Sequence, residues 1–388
     1  MLTRVMRTSA LGVGLAALGG VAWSAEEIDL PSTLAWTAYD VGSAGYNQSV
    51  AIGNALKNAY GIDLRVLPGK NDVSRTIPLR EGKVHFSATG VGASFFAQEG
   101  MFEFGARDWG PQPARLLLTS LSDANLTVGV AADAGVEQLA DLKGKRVAWI
   151  AGAPALNENV KAMLAFADLT WDDVEKVEFS GFAASWDGII NDQVDAAFAV
   201  TTSGQAYQLE SSPRGLHWPP LPHDDKEGWA RLTANAPFFV PSMGTEGAGL
   251  SKDNPHEGAA YPYPILIAYA DQDPDLVYSM TKAMVEQFDN YKDGAPGAGG
   301  WALERQQFDW VVPYHEGAIR YLEEIGVWTE AFQEQNDRLI ERQDVLQTAW
   351  QGYTSGEPPD DEEAFYQGWL KARAEALEAA GFDPIWKA

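Results

Sequence analysis

Thr33-Leu-Ala-Trp-Thr-Ala-Tyr39, followed by Asp40-Val-Gly-Ser-Ala-Gly45 and the stretch from Tyr46 to Tyr60, decides the fold. The first seven residues alternate as a strand does, the glycines turn the chain, and the spacing from Tyr46 predicts a helix. A second strand pattern, Asp63 to Leu67, stops at Pro68-Gly69. Asn71 or Asp72 can cap the next helix, which runs to about Leu79 with Pro78 near its end. Glu81-Gly82 then turns the chain into a third strand, Val84 to Thr89. Strand, helix, strand, helix, strand predicts a parallel sheet, and such sheets bind ligands beyond the carboxyl ends of their strands.

Outward from this unit the pattern recurs. Leu126 to Ala131 and Arg146 to Ile150 read as strands. A turn at Gly152-Ala-Pro-Ala-Leu-Asn157 leads into a helix ending near Ala167. Val177 to Phe179, a short helix at Trp186 to Ile190, and the strand Asp195 to Val200 follow. Glu81 to Gly90 and Asn191 to Thr202 share one plan: a helix end, a polar turn, a strand of small and apolar residues, then threonine. Two facing α/β lobes are the expected result. Leu209 to Gly258 is rich in Pro, Gly, His and acids and reads as loops and short helices. Tyr261 to Ala270 is a strand that can return the chain to the first lobe. Helices are expected at Asp273 to Phe288, Glu316 to Ile325, Thr329 to Trp350 and Asp361 to Ala380.

Composition narrows the function. The 388 residues carry 28 Lys and Arg against 54 Asp and Glu, a formal charge of −26 that opposes nucleic acid and anionic membrane surfaces. Apolar residues at 46% and charged residues at 21% are ordinary for a folded chain, so the acidity reads as a solvated exterior. Without cysteine there is no disulfide, thiolate metal site or cysteine nucleophile. Arg4 and Arg7 precede an apolar run from Ala10 to Ala22, and Ala22-Trp23-Ser24 offers small residues where a signal peptidase reads. Residues 1–24 are therefore expected to be a cleaved export signal, too short to span a membrane. Their removal would change the charge from −26 to −28. No other segment reads as a membrane insertion.

The chemistry-bearing residues cluster where strands end. The turn at Asp40 to Gly45 offers free backbone N–H groups at a helix start, with Ser43 and Tyr46 able to donate hydroxyls or simply to cap and pack the helix. It lacks the spacing of a nucleotide loop. Asn71-Asp-Val-Ser-Arg75 opens the next helix on the same side, and Arg75 can present a fork to a carboxylate or form an ordinary ion pair. Thr89, Thr201 and Thr202 end two equivalent strands. Pro154 and Asn157 lie in a second helix start, and Trp186 is expected at a helix start facing the cleft. Two helix starts across a gap suit a small anion. The five histidines have no ligand spacing, and no nucleophile elbow is present. Neither an enzyme, a metal nor a cofactor is therefore called for.

These residues resemble a known family, the TAXI-type extracytoplasmic solute receptors of TRAP transporters. The likeness rests on Gly42-Ser-Ala-Gly-Tyr46 with Ile52-Gly53, Gly82 to Thr89, Leu139 to Val147, Gly188 to Phe198, Tyr261-Pro-Tyr-Pro264, and Pro313 to Tyr321 with Gly326-Val-Trp328. It implies an α/β, two-lobed periplasmic-binding-protein type II fold, with an added helical C-terminal region. The expected divisions are 25–122 for the first part of lobe I, 123–262 for lobe II, and 263–388 for the return to lobe I plus the C-terminal helices. It also implies a periplasmic receptor that captures a small organic anion, glutamate-like or a dicarboxylate or keto acid, and hands it to TRAP membrane subunits. By motif, Ser43, Tyr46, Ser74 and Thr89 fall where the family lines its site. Asp40, the Asn71 to Arg75 run and Thr89-Gly-Val depart from the family pattern. The other readings are a binding component of an ATP-driven importer or a sensor, an exported enzyme on the same fold, and a scaffold built on the C-terminal helices.

Overall fold

The computed structural model describes residues 27–386, so the expected export signal lies outside the described residues. In chain order the strands are β1 Thr33–Ala38, β2 Asp63–Pro68, β3 Phe86–Thr89, β4 Ala114–Thr119, β5 Leu126–Ala131, β6 Arg146–Ile150, β7 Glu175–Phe179, β8 Ala196–Val200, β9 Leu216–His217, β10 Val240–Gly244, β11 His256–Ala260 and β12 Ile265–Tyr269. The helices are α1 Ala44–Tyr60, α2 Asp72–Arg80, α3 Ala97–Glu99, α4 Pro154–Phe166, α5 Phe182–Ile190, α6 Gly204–Glu210, α7 Lys226–Asn235, α8 Pro274–Glu286, α9 Phe288–Tyr291, α10 Glu316–Glu324, α11 Glu330–Ser355 and α12 Glu362–Ala379.

Two five-stranded sheets result, in the orders β2-β1-β3-β12-β4 and β7-β6-β8-β5-β9. They share one plan. In each, the first three strands are parallel and the fourth enters antiparallel: β12 beside β3, and β5 beside β8. The repeated stretches Glu81 to Gly90 and Asn191 to Thr202 thus form the central strands β3 and β8 of equivalent sheets. This is the two-lobed type II arrangement. The chain passes between lobes from β4 to β5 and again from β11 to β12. Each sheet takes its antiparallel strand directly after a crossing.

Local signals set the element ends. Ser43, extended at φ −66°, caps α1 by accepting the Tyr46 N–H at 3.4 Å, and Gly61 at φ 73° closes that helix in the left-handed region. Asn71 caps α2 in a reciprocal box with Ser74. Pro154 starts α4, where its missing N–H costs no helical bond. Leu34, Trp36, Phe86, Leu116 to Leu118 and Ile265 to Ala268 fill one core, and Trp186, Ile189, Val194 and Trp218 another within lobe II.

Two expectations are corrected and one strand is new. The stretch from Leu209 to Gly258 contains a short helix, α7, as expected, but also contributes the strand β10, which pairs antiparallel with β11 from Val240 opposite Ala260 to Gly244 opposite His256. The strand expected over Tyr261 to Ala270 is confined to Ile265–Tyr269, because Tyr261 to Pro264 forms the crossing. Ala114–Thr119, unassigned from sequence, is a buried edge strand paired with β12. The C-terminal helices α11 and α12 pack on lobe I around Glu99. Its carboxylate accepts Arg342 Nε at 2.7 Å and Arg342 Nη2 at 2.8 Å, and pairs with Arg373. No helix among the described residues is long and apolar enough to cross a membrane.

Candidate functional site

The turns after β1, β2 and β3 in lobe I meet those after β6, β7 and β8 in lobe II, as expected for strands that end at a cleft. The meeting is direct. Gly204 N–H donates to Gly42 O at 3.1 Å, Phe182 N–H to Lys70 O at 3.2 Å, and Val73 N–H to Gly152 O at 3.2 Å. Side chains add to the seam: Gln205 Nε2 reaches Val41 O at 3.1 Å, Asn71 Nδ2 reaches Ala151 O at 2.9 Å, and Asp40 accepts the Ala183 N–H at 3.2 Å. The lobes are therefore closed on one another.

Behind the seam lies a narrow cavity of about 40 Å³, space for a few water molecules. Tyr39, Tyr261 and Tyr263 line it from the end of β1 and from the crossing, with Phe182, Phe198, Leu126 and Leu156 from lobe II. Burial pushes all three tyrosine hydroxyls well above their usual range, so they remain neutral donors. Tyr39 and Tyr263 meet with ring centroids 5.1 Å apart and planes tilted by 54°, and the Arg75 guanidinium carbon lies 4.0 Å over the Tyr39 ring. Asn159 Nδ2 donates to Tyr261 Oη at 2.9 Å.

Two of the charges in this cavity pair with each other. Asp72 is 3% exposed; Arg75 Nη2 lies on its Oδ1, and the Ala155 N–H at the start of α4 donates to its Oδ2 at 2.9 Å. Burial raises the Asp72 carboxyl above the usual range, while Arg75 and the Ala155 N–H work against that rise. Two polar groups in the wall have no partner: Arg75 Nε and Asn159 Oδ1. No cluster of three or more His, Asp or Glu able to hold a metal occurs among the described residues.

Of the residues singled out from sequence, Asp40, Ser43, Asn71 and Arg75 come together in the cavity wall. The others stand elsewhere. Tyr46 faces a shallow outer depression beside Val50 and Gly53. Ser74 caps α2 at an exposed position, and Pro154 starts α4 while its neighbours Ala153 and Ala155 touch the cavity. Asn157 turns back to bond both Ile150 N and Ile150 O at 2.9 Å. Thr89 is buried at the end of β3 with an unpartnered hydroxyl. Thr201 accepts Asn125 N–H and donates to Glu246 O, and Thr202 is buried beside Gly297. Trp186 does not face the cleft: it is fully buried in lobe II, donating to Phe198 O at 3.3 Å and packing against Trp218. Its helix begins at Phe182, so Trp186 falls on the inner face and Phe182 takes the cleft. Sequence reading missed Asp72, Asn159 and the tyrosines. Tyr39 directly follows β1, and position at a strand's carboxyl end was the signal available for it.

Residues 42–326 match the model of the NMT1-like family. The chain belongs to that family. None of the curated proteins compared with this NMT1-like chain matches it. Among solved structures it is similar to the alkanesulfonate-binding protein SsuA from Xanthomonas axonopodis pv. citri bound to MOPS, at 15% identity over 87% of this chain and 98% of that one, TM-score 0.44. A protein from Bordetella bronchiseptica RB50 aligns at 17% identity over 91% and 93%, TM-score 0.45. An ancestral arginine-binding protein bound to arginine aligns at 15% over 69% and 95%, TM-score 0.41. The helices α11 and α12 lie beyond the residues of the NMT1-like match.

Proposed function

We propose that this NMT1-like protein is an exported solute receptor that captures a small molecule between its lobes and delivers it to the membrane subunits of a TRAP transporter of the TAXI type. The observation that carries the reading is the seam: turns at the carboxyl ends of strands from both lobes bond to each other over a buried cavity. Contacts that exist only when the lobes meet are those through which a ligand shifts the open and closed populations. The receptor performs no covalent chemistry; capture and release are its whole cycle. Export to the periplasm rests on the N-terminal signal pattern and the TRAP partner on the family resemblance.

A glutamate-like, dicarboxylate or keto-acid ligand, implied by the family resemblance, would need Arg75 or the start of α4 free. Asp72 holds both. The test of the receptor reading is a thermal-shift screen of residues 25–388 against amino acids, dicarboxylates, keto acids, sulfonates, sugars and uncharged amides. A ligand at 100 times its dissociation constant raises stability by about 2.7 kcal/mol. A saturable shift with one chemical class is the expected result, and a flat response across all of them overturns the reading.

A further inference from the structure

We infer that Asp72 is a built-in carboxylate that fills the anion subsite of the cleft, so that the captured solute is uncharged, with an apolar or ring-shaped body and one polar edge. This rests on the receptor reading and names the ligand class of the same site.

Two of the cavity's anion-holding elements face each other across the lobes: the Arg75 guanidinium and the N-terminal N–H groups of α4. Both converge on one side chain of the protein itself. Arg75 binds Asp72 Oδ1, and the Ala155 N–H, from the opposite lobe, donates to Oδ2 at 2.9 Å. The seat is shaped for that carboxylate. A Cβ at position 92 would overlap the Asp72 carboxyl group, so Gly92 leaves the room it occupies. Asp72 thus makes the contact across the lobes that a ligand carboxylate would otherwise make.

What remains for a solute is largely apolar, and the charges of the wall balance. Tyr39, Tyr261, Tyr263, Phe182, Phe198 and Leu126 present rings and an aliphatic group. The four charged residues of the wall, Asp40, Lys70, Asp72 and Arg75, are two acids and two bases. An entering carboxylate meets the Asp72 charge, and an entering ammonium meets Arg75. The unpartnered wall groups are one donor, Arg75 Nε–H, and one acceptor, Asn159 Oδ1, with Asn159 fully buried. A carboxamide or lactam edge supplies the complementary pair, a C=O for Arg75 and an N–H for Asn159.

Matched acid and amide pairs test this: benzoate with benzamide, nicotinate with nicotinamide, and hexanoate with hexanamide. Each is titrated calorimetrically into the purified protein and its Asp72→Asn and Asp72→Ala variants. In the unaltered protein the amide of at least one pair should bind tenfold or more tightly than its acid. Asp72→Asn, which keeps the volume and removes the charge, should move that preference tenfold or more towards the acid. In Asp72→Ala, acetate should enter the vacated seat and raise the melting temperature, while leaving the unaltered protein unmoved. Acids binding the unaltered protein more tightly than their amides overturns the inference and leaves the receptor reading standing. If no pair binds any form while acetate still stabilises Asp72→Ala, the carboxylate seat is supported and the uncharged-solute class falls, the receptor reading being decided by the thermal-shift screen. If acetate also fails, the seat and the ligand class both fall. Asp72→Asn alone decides the preference should Asp72→Ala fail to fold.

Discussion

Gly204→Ala separates closure from folding. Gly204 opens α6 in lobe II with an ordinary backbone conformation, and its N–H bonds Gly42 O in lobe I at 3.1 Å. An added Cβ would lie 2.5 Å from that carbonyl oxygen, where real Cβ contacts begin near 3.0 Å. The two turns must therefore part by at least about 0.5 Å. Separation weakens the Gly204 bond and the adjoining Gln205 Nε2 to Val41 O bond, about 1 kcal/mol each. Residual crowding of a close-packed seam adds about 1–2 kcal/mol, for a total of about 3–4 kcal/mol against closure. That corresponds to a loss of affinity of roughly 150- to 1,000-fold for the solute that the thermal-shift screen returns. With the lobes apart the methyl group meets nothing of lobe I, and alanine is the better helix former by up to about 1 kcal/mol. Calorimetry should show the affinity loss, small-angle scattering a larger radius of gyration with ligand present, and urea unfolding a change of less than about 1 kcal/mol. Affinity within threefold of the unaltered protein, with unchanged scattering, would refute the idea that these turns meet in the bound state.

Arg75→Ala should weaken solute binding at least tenfold, because it removes the partner of Asp72, the cation over Tyr39 and the free Nε–H together; unchanged affinity removes Arg75 from the site. Glu99→Gln should cost about 3–5 kcal/mol in urea unfolding, since it leaves Arg373 and Arg342 buried beside a neutral group; a loss below about 1 kcal/mol would contradict the packing of α11 and α12 on lobe I. His315 caps α10 through its Nδ1, and burial, then Arg115, lowers its pKa from 6.5 to about 4. The folded state therefore binds this proton less readily than the unfolded one. Its contribution to stability is complete above about pH 6.5 and falls by up to about 3 kcal/mol as pH drops towards 4. His315→Asn retains a capping side chain. It should flatten the decline in melting temperature between pH 7 and pH 4.5, and an unchanged slope would assign that decline to other groups.

The elements legible in the sequence were those written in short-range chemistry. The strand Thr33–Ala38, the helix after Ser43, the helix start at Asn71 or Asp72 and the paired plans of β3 and β8 all follow from residues within a few positions of each other. The strand Ala114–Thr119 was not legible, because three consecutive leucines suit a buried helix as well as a strand. Pairing with β12, some 150 residues later, makes it a strand. Pro241 and Gly244 mark β10 as a loop in any local reading, yet an edge strand tolerates both once β11 lies beside it. At the site, Arg75 was visible as a cation in the turn after a strand. Asp72 was an alternative to Asn71 as the helix cap, and only Asn71 taking that role left the Asp72 carboxylate free to turn inward.

By itself, then, the sequence determined a repeated strand and helix order, the caps that bound it, and the side of each sheet on which turns gather. Those properties depend on backbone geometry and neighbouring side chains, which a linear chain displays. The tertiary structure alone decided that Trp186 packs inward, that Tyr261 and Tyr263 reach Tyr39, and that the start of α4 meets Asp72 from 83 positions away. Burial and the pairing of charges depend on which surfaces exclude water together, and for this chain those surfaces belong to opposite lobes.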